Sequence, residues 1–378
     1  MHAVGFRSLA LATLAGALLL PAQAVRSAEL QPELGGVAEM PVPNDHWFMT
    51  LGFLGGGSIF DGDTGEMQGR VHVSQYSPGV TIDQRRGKVY VPGAYYSRGT
   101  YGERTDLVVV NDLKTLAPLK EIEIPTKLAG VFSKAVINPI GDRLLGVYNM
   151  TPAMSVSIVN VETERFVGEI STAGCALVYP LSGLRFMQIC GDGTVQVIEL
   201  DRNGRETGRT RSRVFFDPET DPVFDMALAR PDGYLLVSFE GLVYDVRVTN
   251  GIEIDAPWSL LTDADVEDKW RVGGSRPFAY NAANDLLLTL VHQGGPDTHE
   301  EPGTEIWAFD LGNRLRGYRL ALEEPVNTIA ISLDSDPLLY VPGGGRVRVH
   351  TARTGRWLRT IEETGPYASA IQVFGEVK

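Results

Sequence analysis

Asn138-Pro-Ile-Gly-Asp-Arg-Leu-Leu-Gly146, followed by Val156-Ser-Ile-Val-Asn160, decides the fold. A polar turn feeds a short apolar strand. A second strand follows and ends in a polar corner. The same unit recurs along the chain. First halves of the same kind are Asp83 to Val91, Leu181 to Ile189, Pro231 to Val237, Asn281 to Leu288 and Leu333 to Val341, with a looser copy from Pro43 to Leu51. The second halves end at Asp61, Asp112, Asn160, Leu200, Asp245, Asp310 and Thr351. Asp61, Asp112, Asn160 and Thr351 each have a threonine three residues on. Short Asp and Asn side chains bond their own backbone two residues on, which shapes a tight turn.

Successive corners lie 40 to 65 residues apart. That period matches repeated four-stranded antiparallel units. The expected fold is therefore all-β, a seven-bladed β-propeller spanning residues 42–378. A β-sandwich does not give seven copies at this period, and a parallel β-helix has shorter coils. The longest interval holds an insertion, Ala256 to Trp270. Within it, Thr262-Asp-Ala-Asp-Val-Glu-Asp-Lys-Trp270 reads as a short capped helix.

The start of the chain reads as a signal peptide, residues 1–24. Arg7 gives a basic start, Leu9 to Leu20 an apolar core, and Ala22-Gln-Ala24 a small-x-small cleavage site. The apolar run is shorter than the roughly 20 residues a membrane span needs. The expected location is the periplasm, with residues 25–41 forming an extended arm. The net charge is −13. An acidic chain without a Lys/Arg cluster argues against nucleic acid and anionic lipid surfaces as partners. Cys175 and Cys190 are the two cysteines. An even count in an oxidising compartment points to a disulfide, two free buried thiols being the alternative.

No motif for stand-alone chemistry emerges. There is no H-E-x-x-H, G-x-S-x-G or P-loop. His292 and His299 lie in a loop with Asp297, Glu300 and Glu301, a set able to hold a metal; a solvated inter-strand loop is the plainer reading. Gly-Gly-Gly at 55–57 and 343–345 leads into strands, so it suits tight hairpins or bulges rather than a phosphate cradle. No metal ligand set and no catalytic group is assigned to this chain.

Several stretches carry a resemblance. They are Tyr95 to Val110, Ala173-Gly-Cys175 with Phe186-Met-Gln-Ile-Cys-Gly-Asp-Gly193, Ala256 to Leu261 with Trp270-Arg-Val-Gly-Gly274, Thr304 to Asp310, and Leu358 to Glu362. Together they resemble the large (heavy) subunits of quinone-dependent amine dehydrogenases, nearer to aromatic amine dehydrogenases than to methylamine dehydrogenases. The resemblance implies two large propeller chains assembled with two small chains. It implies tryptophan tryptophylquinone on the small chain, with an aspartate base there too. A primary amine becomes aldehyde plus ammonia, and electrons pass to a copper protein of azurin or amicyanin type. The tryptophans of this chain are then core or interface anchors. Phe48 matches the family's large-subunit aromatic that lines the substrate channel; an ordinary strand residue is the other reading. Leu54-Gly-Gly-Gly-Ser58, just beyond it, departs from the family pattern. A binding or scaffold propeller without a catalytic partner, and a metal-dependent propeller hydrolase, are the readings from other classes.

Overall fold

A computed structural model describes residues 38–52, 56–74, 79–131, 133–365 and 368–375. The expected signal peptide, most of the expected arm and part of the glycine-rich stretch at 54–58 lie outside the described residues.

The described residues form seven antiparallel sheets, here called blades 1 to 7. Blades 2, 3 and 4 occupy residues 81–124, 137–171 and 175–211; blades 5, 6 and 7 occupy 228–259, 270–326 and 330–361. In each of these the first strand is more buried than the last, most plainly for Cys175–Leu181 against Glu206–Arg211. The first strands therefore surround the axis. The outermost strand of blade 6, Leu315–Val326, alternates exposed and half-buried residues along its length, with a buried last residue. That is the period of a strand wetted on one side.

Blade 1 joins the two ends of the chain. Trp47–Gly52, Gly56–Asp61 and Met67–His72 pair in order, and Ala368–Val373 adds the innermost strand. Phe48 stands opposite Val373, and Leu51 opposite Ala370. Opening this sheet exposes an unpaired strand edge on both sides, so the ladder locks the ring.

The core lies between blades rather than in one centre. Separate clusters of buried side chains fill the seams, for example Met49, Val71, Val80 and Val89 between blades 1 and 2, and Leu288, Ile306, Leu339 and Val341 between blades 6 and 7. Each blade packs between two neighbours, so its central strands are buried along most of their length, as in Leu144–Asn149 and Ser155–Asn160.

The polar corners have the expected chemistry. Asp112 Oδ1 accepts from the backbone N–H groups of Lys114 at 3.0 Å and Thr115 at 2.8 Å. Asn160 Oδ1 accepts from Glu162 and Thr163 at 3.0 and 2.9 Å. Asp61 Oδ1 accepts from Asp63 at 2.8 Å. In the insertion, the helix is Asp263–Glu267, shorter than the 262–270 span expected. Thr262 caps it through a reciprocal bond with Asp265, and Trp270 already begins the next strand. Trp270 is drawn into the sheet because its ring packs on Trp307, at 5.2 Å between centroids. Ahead of blade 1, Met40 is buried, and its N–H donates to the Lys114 carbonyl at 2.7 Å.

Candidate functional site: the axial cavity and the closure seam

The ring has two rims. One carries the polar corners and the hairpins that leave the innermost strands. The other carries the loops that enter the innermost strands and those joining second to third strands; we call it the entry rim.

Phe48 lies near the corner rim, one residue into the second strand of blade 1. Its side chain is 0% exposed. It stacks on Phe60 at 5.6 Å and tilts against Tyr340 of blade 7 at 4.5 Å between centroids. Ile371, Val347 and Val349 complete this packing. In the chain taken alone Phe48 is therefore a wall residue of the seam between blades 7 and 1.

Polar ties surround that wall. Tyr340 donates its hydroxyl proton to the His46 carbonyl at 2.6 Å. His46 Nδ1 is 2.9 Å from both Asp63 oxygens, and its Nε2 is 3.3 Å from Asp334 in blade 7. Burial alone lowers the His46 pKa, but the hydrogen bond and charge of Asp63, with those of Asp334, outweigh it and raise the pKa above the usual histidine value.

Cys175 and Cys190 form a disulfide. They face each other across the two inner strands of blade 4, at its entry rim. The histidine loop holds its members apart. His292 is buried in the strand Leu286–Gln293, with Nε2 2.9 Å from Thr298 Oγ. Burial and the nearby Arg271 lower its pKa against the raising effect of Glu301. The His299 ring instead lies flat on Phe239, at 3.6 Å. Among the described residues, no group of three or more His, Cys, Asp or Glu side chains is gathered as a metal site.

Around the axis at the entry rim opens a cavity of about 970 Å³. Blades 5, 6, 7 and 1 line it, with Phe224, Asp225, Phe239, His299, Thr328 and Arg346 among its walls. The glycine run at 343–345 forms a hairpin there. Gly344 and Gly345 have φ of 58° and 82°, the left-handed region where a Cβ is strained. The hairpin reading of that run holds, and its turn also borders the cavity. The sequence reading missed the rest of this cavity, because its walls come from loops far apart in the chain.

A family model described as methylamine dehydrogenase heavy chain matches residues 54–374. The chain belongs to the methylamine dehydrogenase heavy chain family. Its similarity to the heavy chain from Methylophilus methylotrophus is 27% identity over 319 residues, 82% of this chain and 78% of the relative. For the heavy chain from Paracoccus versutus it is 27% over 316 residues, 81% and 73%. These names do not support the leaning toward aromatic amine dehydrogenases. Among solved structures, the periplasmic gluconolactonase of Pseudomonas aeruginosa superposes with a TM-score of 0.57 at 15% identity, covering 87% of this chain and 99% of that one. The hydrazine synthase of Kuenenia stuttgartiensis gives 0.51 at 14%, covering 82% and 95%. Likeness at this level shows the propeller alone.

Family membership raises a question about the chain's tryptophans. Trp270 and Trp307 are close, but Arg319 lies over both rings at 4.7 and 4.8 Å, and Arg316 over Trp307 at 4.1 Å. Trp307 is fully buried, and neither ring lines the axial cavity. Trp357 is 58% exposed and stands on the outer edge of blade 7, a place for an interface anchor rather than a core residue.

Proposed function

We propose that this chain is the large, quinone-free subunit of a periplasmic amine dehydrogenase. The single observation that carries the proposal is the family match across residues 54–374, which spans nearly the whole propeller. In this reading a small partner chain holds tryptophan tryptophylquinone and the base. Two copies of each chain assemble, and electrons leave to a copper protein of azurin or amicyanin type. The quinone, when present on that partner, supplies the two-electron oxidation of a primary amine to aldehyde and ammonia.

This chain contributes rigidity and shape. The closed ring presents fixed rims, and a preorganised surface limits the ordering cost of assembly. Phe48 is proposed to shape the amine channel from behind, by setting the position of the closure seam rather than by touching the amine through an opening of its own. Its neighbours Phe60 and Tyr340 cover it, so truncation would move the seam.

The test is turnover. The large chain alone, mixed with methylamine or benzylamine and an artificial electron acceptor, should give no amine-dependent reduction. Adding the co-expressed small chain should restore it. Turnover by the large chain alone would remove the proposed division of labour. Phe48→Leu, which keeps an apolar side chain, should change the ratio of kcat/KM for methylamine and benzylamine; an unchanged ratio would exclude Phe48 from channel shaping.

A further inference from the structure

Three loops of the entry rim meet at the mouth of the axial cavity. Residues 212–227 lead into blade 5, residues 238–241 join its second and third strands, and residues 294–302 do the same in blade 6. They form one surface. The Phe239 N–H donates to the Pro222 carbonyl and the Glu240 N–H to Asp221 Oδ1, both at 2.9 Å. The His299 ring lies on Phe239, and Phe224 meets Phe239 edge to face at 4.8 Å. All three rings line the cavity.

The charge on these loops is almost entirely of one sign. They carry eight Asp and Glu residues against one basic residue, Arg213. Arg213 is tied to the Ile254 carbonyl at 3.0 Å. Among the described residues none of the eight forms an ion pair with a Lys or Arg; Glu301 stands 3.8 Å from His292. Two of them, Asp225 and Glu300, line the cavity itself. Glu300 is exposed. Asp225 opens to the cavity but is surrounded by protein, so burial raises its carboxyl pKa while the charge of Arg276 lowers it. Arg276 therefore offsets part of that one carboxylate. Among the described residues the only Lys or Arg in the lining is Arg346, which is held by Glu324 at 3.4 Å; neither Lys134 nor Arg276 lines the cavity.

Charge and shape point to the same ligand. A cleft walled by one sign of charge concentrates the opposite charge from solution. Aromatic faces attract a cation that has given up part of its water. At about 970 Å³ the cavity has room for a small organic molecule.

We propose that the entry-rim cavity binds small organic cations, namely protonated amines with an apolar body, the ammonium toward Glu300 and Asp225 and the body against Phe224 and Phe239. The preference for a cation rests on the charges and the aromatic wall. The choice of amines as the natural ligand rests on the amine dehydrogenase reading. An ammonium has no free electron pair with which to attack a carbonyl, so an amine held here is stored rather than oxidised.

The test is calorimetric titration of the purified full chain, without the small chain, at neutral pH. The probes are benzylamine, benzyl alcohol as its neutral counterpart and benzoate as the charge-reversed one. Benzylamine should bind saturably and more weakly as salt is raised. Benzyl alcohol should bind more weakly than benzylamine, and benzoate should not bind. Glu300→Gln, an exposed change that leaves the fold intact, should weaken benzylamine binding by roughly two- to fivefold, the range for a partly exposed ion pair. Phe239→Leu should narrow the preference for benzylamine over methylamine. Absence of benzylamine binding, equal binding of benzyl alcohol, or an affinity unchanged in Glu300→Gln would each overturn the proposal. Benzylamine that binds this chain but is not oxidised by the assembled complex would keep the site and remove the enzyme reading. Oxidation by the complex without binding to this chain would do the reverse.

Discussion

The closure seam and the axial mouth are built from the same kinds of residue and behave as opposites. At the seam, Phe48, Phe60 and Tyr340 stack with no exposed surface on Phe48, and every nearby polar group named above has a partner. At the mouth, Phe224, Phe239 and His299 also stack, but they border an opening, and some polar atoms of its lining residues have no partner among the described residues. Aromatic content therefore does not separate wall from site. What separates them is whether hydrogen-bonding capacity is used up within the chain.

That contrast can be broken most severely by truncation. Phe48→Ala should destabilise the chain by about 3–5 kcal/mol, the range for removing a fully buried aromatic. Phe239→Ala, on a partly open wall, should cost clearly less. Urea unfolding of both variants measures the difference; equal losses would mean the mouth is as tightly packed as the seam. Removing the disulfide is expected to come next. Cys175→Ser should lower stability by roughly 3 kcal/mol on the chain-entropy account for a loop of this size. A wild-type Tm indifferent to reductant would contradict it.

Smaller effects should appear in pH dependence, with opposite signs at His46 and at Lys134. The folded-state pKa of His46 is raised, so its contribution is complete below about 6.5 and is lost as pH rises through the folded value. The folded-state pKa of Lys134 is lowered to about 7. Its penalty is full below that value and fades as pH rises toward the free-lysine range near 10.4. His46→Gln should flatten the loss of Tm just above pH 6.5, and Lys134→Met should flatten the gain above pH 7. Profiles that match wild type in both variants would show that neither group sets the stability of its region.

Much of the ring was legible because its determinants are local. Turns such as Asp112 to Thr115 close on their own backbone, and each feeds an apolar run of strand length. The insertion and its capped helix were legible for the same reason, although Trp270 joins a strand through a contact with Trp307 that lies 37 positions on. The cysteines were legible from their count and now stand opposite each other in one ladder. The closing strand Ala368–Val373 was not, because its partner lies more than 300 residues away in the chain. The mouth was hidden for that reason too. Phe224, His299 and Arg346 line it from loops of three different blades, and nothing near any one of them in sequence signals the others. Phe48 shows the converse limit. A motif match selected the residue, and the fold shows a packed wall at that position, so its influence on an amine would pass through the seam.

The most direct test of the central claim is the visible absorption spectrum of the protein purified from its native host, recorded before and after adding methylamine. A quinone band, a co-purifying small chain, and bleaching of the band by the amine are expected. A colourless preparation containing this chain alone, with no spectral response to methylamine or benzylamine, would contradict it.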